Sequence, residues 1–459
     1  MGRVTLTSSP RRSAATSTDS WTRVTKDIAG RVAEVATFGG AAQPAWTGTS
    51  GVFTGKVTTV YDANFTTVTD QAGKVRRSMV DALGQLRRVD EPDAANNLGS
   101  TSLPVQPTSY VYNTLGNLIS VTQGTQTRTF TYDSLSRLRT ALNPESGTIS
   151  YQYDDNGNLI VKTDARNVSA HYEYDALNRA TRRWHNGSNS TTATTHNNPA
   201  LPSGVGVTDE VKFYYDSQSL PAGAPSYTRG AAVGRLVAQT YGTGSNGDYY
   251  GFDVLGRATL KIQQTGTINY QLSAAYSLSG ALKTLTYPSG HTITNSFDQA
   301  GRLTGFSGNL GDGATRTYST GILYAPIGGL AKEQFGTTTP LYHKRFYNSR
   351  GQLFDTRVSS VNDTWDWNRG RLILYYSSNH LWGQSGTDNN GNVRFAETWI
   401  PPENATLDQA AVLIEDSYNY DALNRLTSVT EQRMDAAGGW VWQQQFRQAY
   451  TYDRWEPDD

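Results

Sequence analysis

This 459-residue sequence predicts an all-β fold, a repetitive ribbon of antiparallel β-hairpins, on three observations. An aromatic residue followed by Asp, or by Asn at Tyr112, returns at a spacing of 20–21 residues, in copies that begin at Tyr112, Tyr132, Tyr153 and Tyr174. The residues before each pair alternate apolar and polar, the period of a half-buried strand. Three residues after the Asp comes Gly or Asn, the side chains that best accept the left-handed backbone a tight hairpin loop needs.

A repeat of this length accommodates two strands and two turns. In the copy at Tyr153, Ile149, Tyr151 and Tyr153 share one face while Ser150 and Gln152 take the other, and Leu159 and Val161 resume an apolar face after the turn. In the next copy Ala170, Tyr172 and Tyr174 form the apolar face, with His171 and Glu173 opposite. Asp suits the first turn position because its carboxylate accepts backbone N–H bonds two residues on. The residues assigned to turns on this logic include Asp133, Asp154, Gly157, Asp175, Asn178, Gly256, Gly301, Asp421 and Asn424. Tight turns are expected to centre on 114–115, 134–135, 155–156 and 176–177. Ser136, at a position that favours glycine, is expected to carry a small conformational cost.

Read in order, residues 1–20 form a poorly ordered N-terminal segment and 21–109 divergent repeats that keep the turn ("KDIAGRV", "TDQAGKV", "VDALGQL") without the tyrosine. Residues 110–184 carry the regular repeats. The stretch 185–230 holds polar loop insertions around a strand, its loops 185–206 and 217–230 expected at the surface and mobile. Residues 231–459 return to the repeat and are incomplete at the C-terminus. Within them, "TDNNGNV" (387–393) is read as another hairpin turn, and "PPENATLDQAAVLIEDS" (401–417) as the site of a short Pro-initiated helix.

Composition excludes several classes. Forty basic residues balance forty acidic ones, so no global field favours nucleic acid. There is no cysteine, hence no disulfide or thiolate chemistry. No run approaches the roughly eighteen apolar residues of a membrane-spanning helix, and no signal peptide is visible at the N-terminus. His171, His185, His196, His291, His343 and His380 show no paired spacing that would give a zinc site. Gly242, Gly244 and Gly247 form Gly-x-Gly-x-x-Gly, but the next hairpin follows where a phosphate-binding loop needs a helix. Without a nucleophile elbow or an assignable carboxylate pair, no enzyme, catalytic residue, metal or cofactor is predicted.

The recurring Tyr-Asp-x-x-Gly/Asn-Arg/Asn-Leu unit resembles the YD repeat of the RHS family over roughly residues 60–455. That group includes bacterial RHS polymorphic toxins, the C component of Tc toxins and animal teneurins. The resemblance implies a secreted or cell-surface protein whose ribbon winds into a hollow shell, here an open part of one. It also implies a structural role, encapsulating a C-terminal toxin or effector domain absent from this chain, with the rest of a larger RHS polypeptide and its cargo as partners. The plug region and D-P-x-G-type motif of bacterial members have no counterpart here, and the last copy, at Tyr452, breaks off after Trp455. The chain is therefore expected to be a fragment with an uncapped edge that does not close a cavity by itself.

The alternative is a carbohydrate-binding or adhesion module. Seven of the ten tryptophans follow residue 364, among them the same-face pairs Trp365/Trp367 and Trp440/Trp442, and exposed indoles stack on sugar rings. Such residues also fill strand faces, so the alternative predicts a groove that gathers several of these rings, whereas a shell wall predicts two rather polar faces.

Overall fold

A computed structural model describes residues 4–9, 19–49, 51–186, 210–242, 244–435 and 441–452. These residues form 32 strands and no helix, so no helix is long enough to cross a membrane. The chain divides into two units, residues 110–122 with 126–316, and residues 1–109 and 123–125 with 317–459.

In the unit of residues 126–316, strand pairs with following strand in antiparallel register, from Gln126–Tyr132 with Leu138–Asn143 onward through Ser169–Tyr174 with Ala180–Asn186. Gln126–Tyr132 alternates half-buried and exposed side chains along its whole length, as the apolar/polar pattern requires. The tight turns fall at the spacing the repeat predicts. In each, the fourth residue's N–H donates to the first residue's carbonyl, from Gly116 to Asn113, Ser136 to Asp133, Gly157 to Asp154 and Asn178 to Asp175. The register then slips by one residue at the aromatic of the pair, at Tyr132, Tyr153, Tyr174, Tyr215, Phe252, Tyr276 and Phe297. Such irregularities re-aim a side chain.

Buried Ala238, Tyr249 and Ile262 make a small apolar core, against which Leu220, Ala224 and Tyr227 pack. The loop 217–230, expected to be mobile, is thus a packed element. Its Tyr227 hydroxyl donates to the Val237 carbonyl at 2.6 Å, and the Gly223 carbonyl accepts from Gln264 at 2.9 Å. The loop 185–206 lies outside the described residues from 187 on. The glycine-rich stretch opens the strand Gly247–Phe252, where a Cβ on Gly247 would lie 2.1 Å from the Gln239 carbonyl oxygen. Close strand approach accounts for that glycine.

The other unit brings the first and last stretches of the chain together. Within the segment 1–20 expected to be poorly ordered, Val4–Ser8 is a strand paired with Ser20–Lys26. Asp70 accepts from Asn390 Nδ2 at 3.2 Å and from Asn424 Nδ2 at 3.4 Å.

Two expectations are corrected here. Residues 401–411 form turns and irregular chain, not a helix, and Val412–Tyr420 is a strand paired on both sides, whose ladder bonds outweigh the helix propensity of Ala and Leu. The copy 387–393 is not a tight turn running directly from one strand into the next. It lies in the long connection between Gly370–Tyr375 and Phe395–Ile400, where side chains bind the backbone in place of a ladder: Asn389 Oδ1 accepts from the Gly391 N–H at 3.0 Å.

Candidate functional site

Most turns are held by the side chain of their first residue, usually Asp and at 113 Asn. Asp133 Oδ1 accepts from the backbone of Leu135 (3.0 Å) and Arg137 (2.9 Å), and Oδ2 takes Arg137 Nε at 2.7 Å. Asp175 does the same with Leu177 and Arg179, and Asp421 with Leu423 and Arg425. In the unit of Asp154 and Gly157 the fifth residue is Asn158, whose backbone and Nδ2 both donate to Asp154. The Arg137 backbone N–H, against a smaller desolvation effect and aided by the Arg137 guanidinium, holds the Asp133 carboxyl below the usual carboxylate range. Gly256 and Gly301 close the corresponding turns on Asp253 and Asp298.

With its Nε committed to Asp, the arginine turns the rest of its guanidinium to the next unit. Arg137 lies over the Tyr153 ring at 5.1 Å and donates to the Asp154 carbonyl at 2.9 Å. Arg257 lies over Tyr276 at 4.9 Å and donates to the Ser277 carbonyl at 2.9 Å, and Arg425 lies over Tyr452 at 4.5 Å. Arg179 reaches over Tyr215 at 4.4 Å and donates to Asp216 Oδ2 at 2.9 Å. At Arg137, Arg179 and Arg257 these contacts combine cation–π attraction with a charge-assisted hydrogen bond.

The tyrosine answers in the opposite direction. Its hydroxyl donates to the first strand carbonyl after the preceding turn, Tyr132 to Leu118 (2.9 Å), Tyr174 to Leu159 (2.8 Å) and Tyr276 to Ala258 (2.9 Å), while Tyr420 donates to Val393 (2.8 Å), just ahead of the strand Phe395–Ile400. Where the aromatic is Phe297, Asn295 on the same strand donates instead, to the Leu282 carbonyl at 2.9 Å. Where Asn replaces the arginine, it reaches the fourth residue of the next turn, Asn117 to Ser136 Oγ and Asn158 to Asn178 Oδ1, both at 2.9 Å. Asn424 in turn accepts from Asn392 at 3.2 Å. The fourth positions that lack glycine in these units, with φ of 60° at Ser136, 59° at Asn178 and 63° at Asn424, thus hold a partner for a preceding Asn.

The tryptophans separate. Trp365 and Trp367 lie in the loop 360–369, not on one strand face, because Asp363 Oδ1 and Asp408 Oδ1 cap their backbone N–H groups at 2.8 Å. Trp365 is 53% exposed and stacks on Phe346 (5.1 Å, 6°), with Trp382 at 6.1 Å. Trp367 is 9% exposed and meets Trp399 edge-on. Trp442 is exposed ahead of the strand Gln443–Ala449, and Trp440 lies outside the described residues.

The family model for the RHS repeat matches residues 112–149 and 153–183, the region with the most regular interlock. This chain carries RHS repeats. The fold is that of solved Tc toxin structures. TcdB2-TccC3 without its hypervariable C-terminal region shares 15% identity at a TM-score of 0.68, over 95% of this chain and 21% of that one. The Tc holotoxin pore of Photorhabdus luminescens gives 15% and 0.67 over 95% of this chain and 21% of that chain. A further TcdB2-TccC3 structure gives 13% and 0.65 over 98% of this chain and 26% of that chain. The chain thus spans about a fifth to a quarter of the chains it matches. No curated protein sequence matches it.

Sequence reasoning explained the Asp and the Gly/Asn of the RHS repeat through turn chemistry but gave the Tyr and Arg no partner. Their partners lie in neighbouring units. The signal that would have found them is the pairing of an Asn at the fifth position with a non-glycine fourth position one unit later.

Proposed function

We propose that the chain is a wall segment of an RHS-type β-shell, with a structural role: helping to enclose a toxin or effector polypeptide carried by the same longer protein. The observation that carries this reading is the two-way interlock, in which Arg137, Arg179 and Arg257, or Asn117 and Asn158, grip the next turn and Tyr132, Tyr174 and Tyr276 cap the preceding strand. The Asp holds its own turn while the remaining polar groups of the motif hold neighbouring hairpins together, as a continuous wall requires. The half-buried, alternating strands and the fold likeness to the Tc toxin structures support it.

The carbohydrate-binding alternative is the weaker reading. Of its four tryptophans, Trp367 is buried, and Trp365 has one ring face covered by Phe346 and Arg357 beside it at 5.1 Å.

The test is limited proteolysis of the full-length polypeptide, comprising this chain and whatever its reading frame encodes downstream. A downstream segment that resists trypsin in the wild type and is digested when Arg137→Ala and Arg179→Ala open the interlock is the expected result. A segment equally digested in both, or a frame with no downstream segment, would sink the containment reading.

A further inference from the structure

A cluster of metal-ligating side chains lies apart from the repeat turns. Glu397, on the strand Phe395–Ile400, and Glu415, on Val412–Tyr420, stand directly opposite each other across the ladder. Two carboxylates so placed repel, and the arrangement calls for a cation between them. Into this place the connection after Gly370–Tyr375 brings His380, whose Nε2 lies 3.2 Å from Glu397 Oε1 and 3.2 Å from Glu415 Oε2. That nitrogen is shut off from solvent, yet it makes no well-directed hydrogen bond to either oxygen.

The ligand atoms are oriented by their surroundings. The imidazole stacks on Phe395 (4.4 Å, 18°) and meets the edge of Tyr375 (4.2 Å, 84°). Trp399 Nε1 donates to Glu397 Oε2 at 3.0 Å, which leaves Oε1 as the oxygen turned to His380. Outer partners of this kind are what orient metal ligands.

We propose that His380, Glu397 and Glu415 form a three-ligand site for a divalent first-row transition ion, with Zn²⁺ the leading candidate. Two donors each about 2.1 Å from a common ion are roughly 3.0–3.4 Å apart at octahedral to tetrahedral angles, and both nitrogen–oxygen separations here are 3.2 Å. All three donor atoms lie within 4.8 Å of one another. The imidazole nitrogen selects against Ca²⁺ and Mg²⁺, which take oxygen ligands. A neutral imidazole with two carboxylates carries two negative charges, which a divalent ion balances and a single protonated histidine would not. The ion would tie the connection 376–394 to two adjacent strands and keep a further coordination position for water or a donor from another segment.

The experiment uses the full, tag-free chain, stripped with a chelator and dialysed against Zn²⁺, with bound metal measured by atomic emission. One equivalent is expected in the wild type and in His291→Asn, with affinity reduced tenfold or more in Glu415→Gln and His380→Asn whose far-ultraviolet circular dichroism is unchanged. No uptake by the wild type at about 100 μM free Zn²⁺, the concentration of a weak site, would show an imidazolium–carboxylate triad instead and overturn the proposal. So would undiminished uptake by the two folded variants. X-ray absorption of the zinc-loaded wild type decides the matter should the variants not fold. One imidazole and otherwise oxygen neighbours are expected; no imidazole, or more than one, refutes the site.

Discussion

Asn178 and Gly157 occupy the same place in the turns of successive repeats, yet for different physical reasons. At Gly157, φ is +87° and a Cβ would meet nothing within 4 Å, so only the backbone penalty opposes a side chain. Gly157→Val should therefore cost roughly 1–2 kcal/mol or more, while Asn156→Ala at the preceding turn site stays near neutral in urea denaturation. Equal midpoints would place the left-handed residue elsewhere. Asn178 offsets its backbone penalty with the bond from Asn158. A double-mutant cycle of Asn158→Ala and Asn178→Gly should give a coupling of about 0.5–1.5 kcal/mol, and additive effects would remove the interlock at this turn. The turn aspartates add an acid dependence. Because the Arg137 backbone N–H lowers the Asp133 carboxyl, its contribution is complete above the ordinary carboxylate value near 4 and is lost as pH falls through the lowered one. Acid unfolding followed by circular dichroism should be shallower in Asp133→Asn.

Hairpin by hairpin, the tyrosine hydroxyls set a second pH limit. Burial raises the hydroxyls of Tyr132 and Tyr174, so their hydrogen bonds are fully present below the ordinary tyrosine value near 10 and are lost as pH rises through the raised one. Alkaline unfolding should coincide with tyrosinate absorbance, and tyrosinate appearing well before any loss of β signal would contradict the capping role. Tyr174→Phe should cost about 1 kcal/mol, and Asn295→Ala a similar amount, since both remove one donor to the strand carbonyl after a turn. The hairpins themselves were legible because turn chemistry and strand alternation are local. What was not legible lies between strands. The position of His380 beside Glu397 and Glu415 depends on ladder register and a long connection, and no spacing of histidines encodes it. The packed, half-buried loop at Leu220 and Tyr227 escaped for a related reason, since its Pro/Gly/Ser composition reads as a surface loop until Ala238 and Tyr249 are placed beneath it.

At the scale of the molecule, the contacts of Asp70 with Asn390 and Asn424 join hairpins 320 and 354 residues apart. Asp70→Ala should raise amide hydrogen exchange in residues 65–80 and 389–395 together, as expected if the two stretches support each other; faster exchange in one alone would deny the coupling. The same contact carries a consequence for biogenesis. A ribosome adds about 5–20 residues per second, so roughly 16–64 s separate the emergence of Asp70 from that of Asn390, 320 residues later. Through that interval the earliest hairpins present a flank whose partner has not yet been translated. A nascent chain of this design has a long window in which a holdase, or another copy on the same message, competes for that flank.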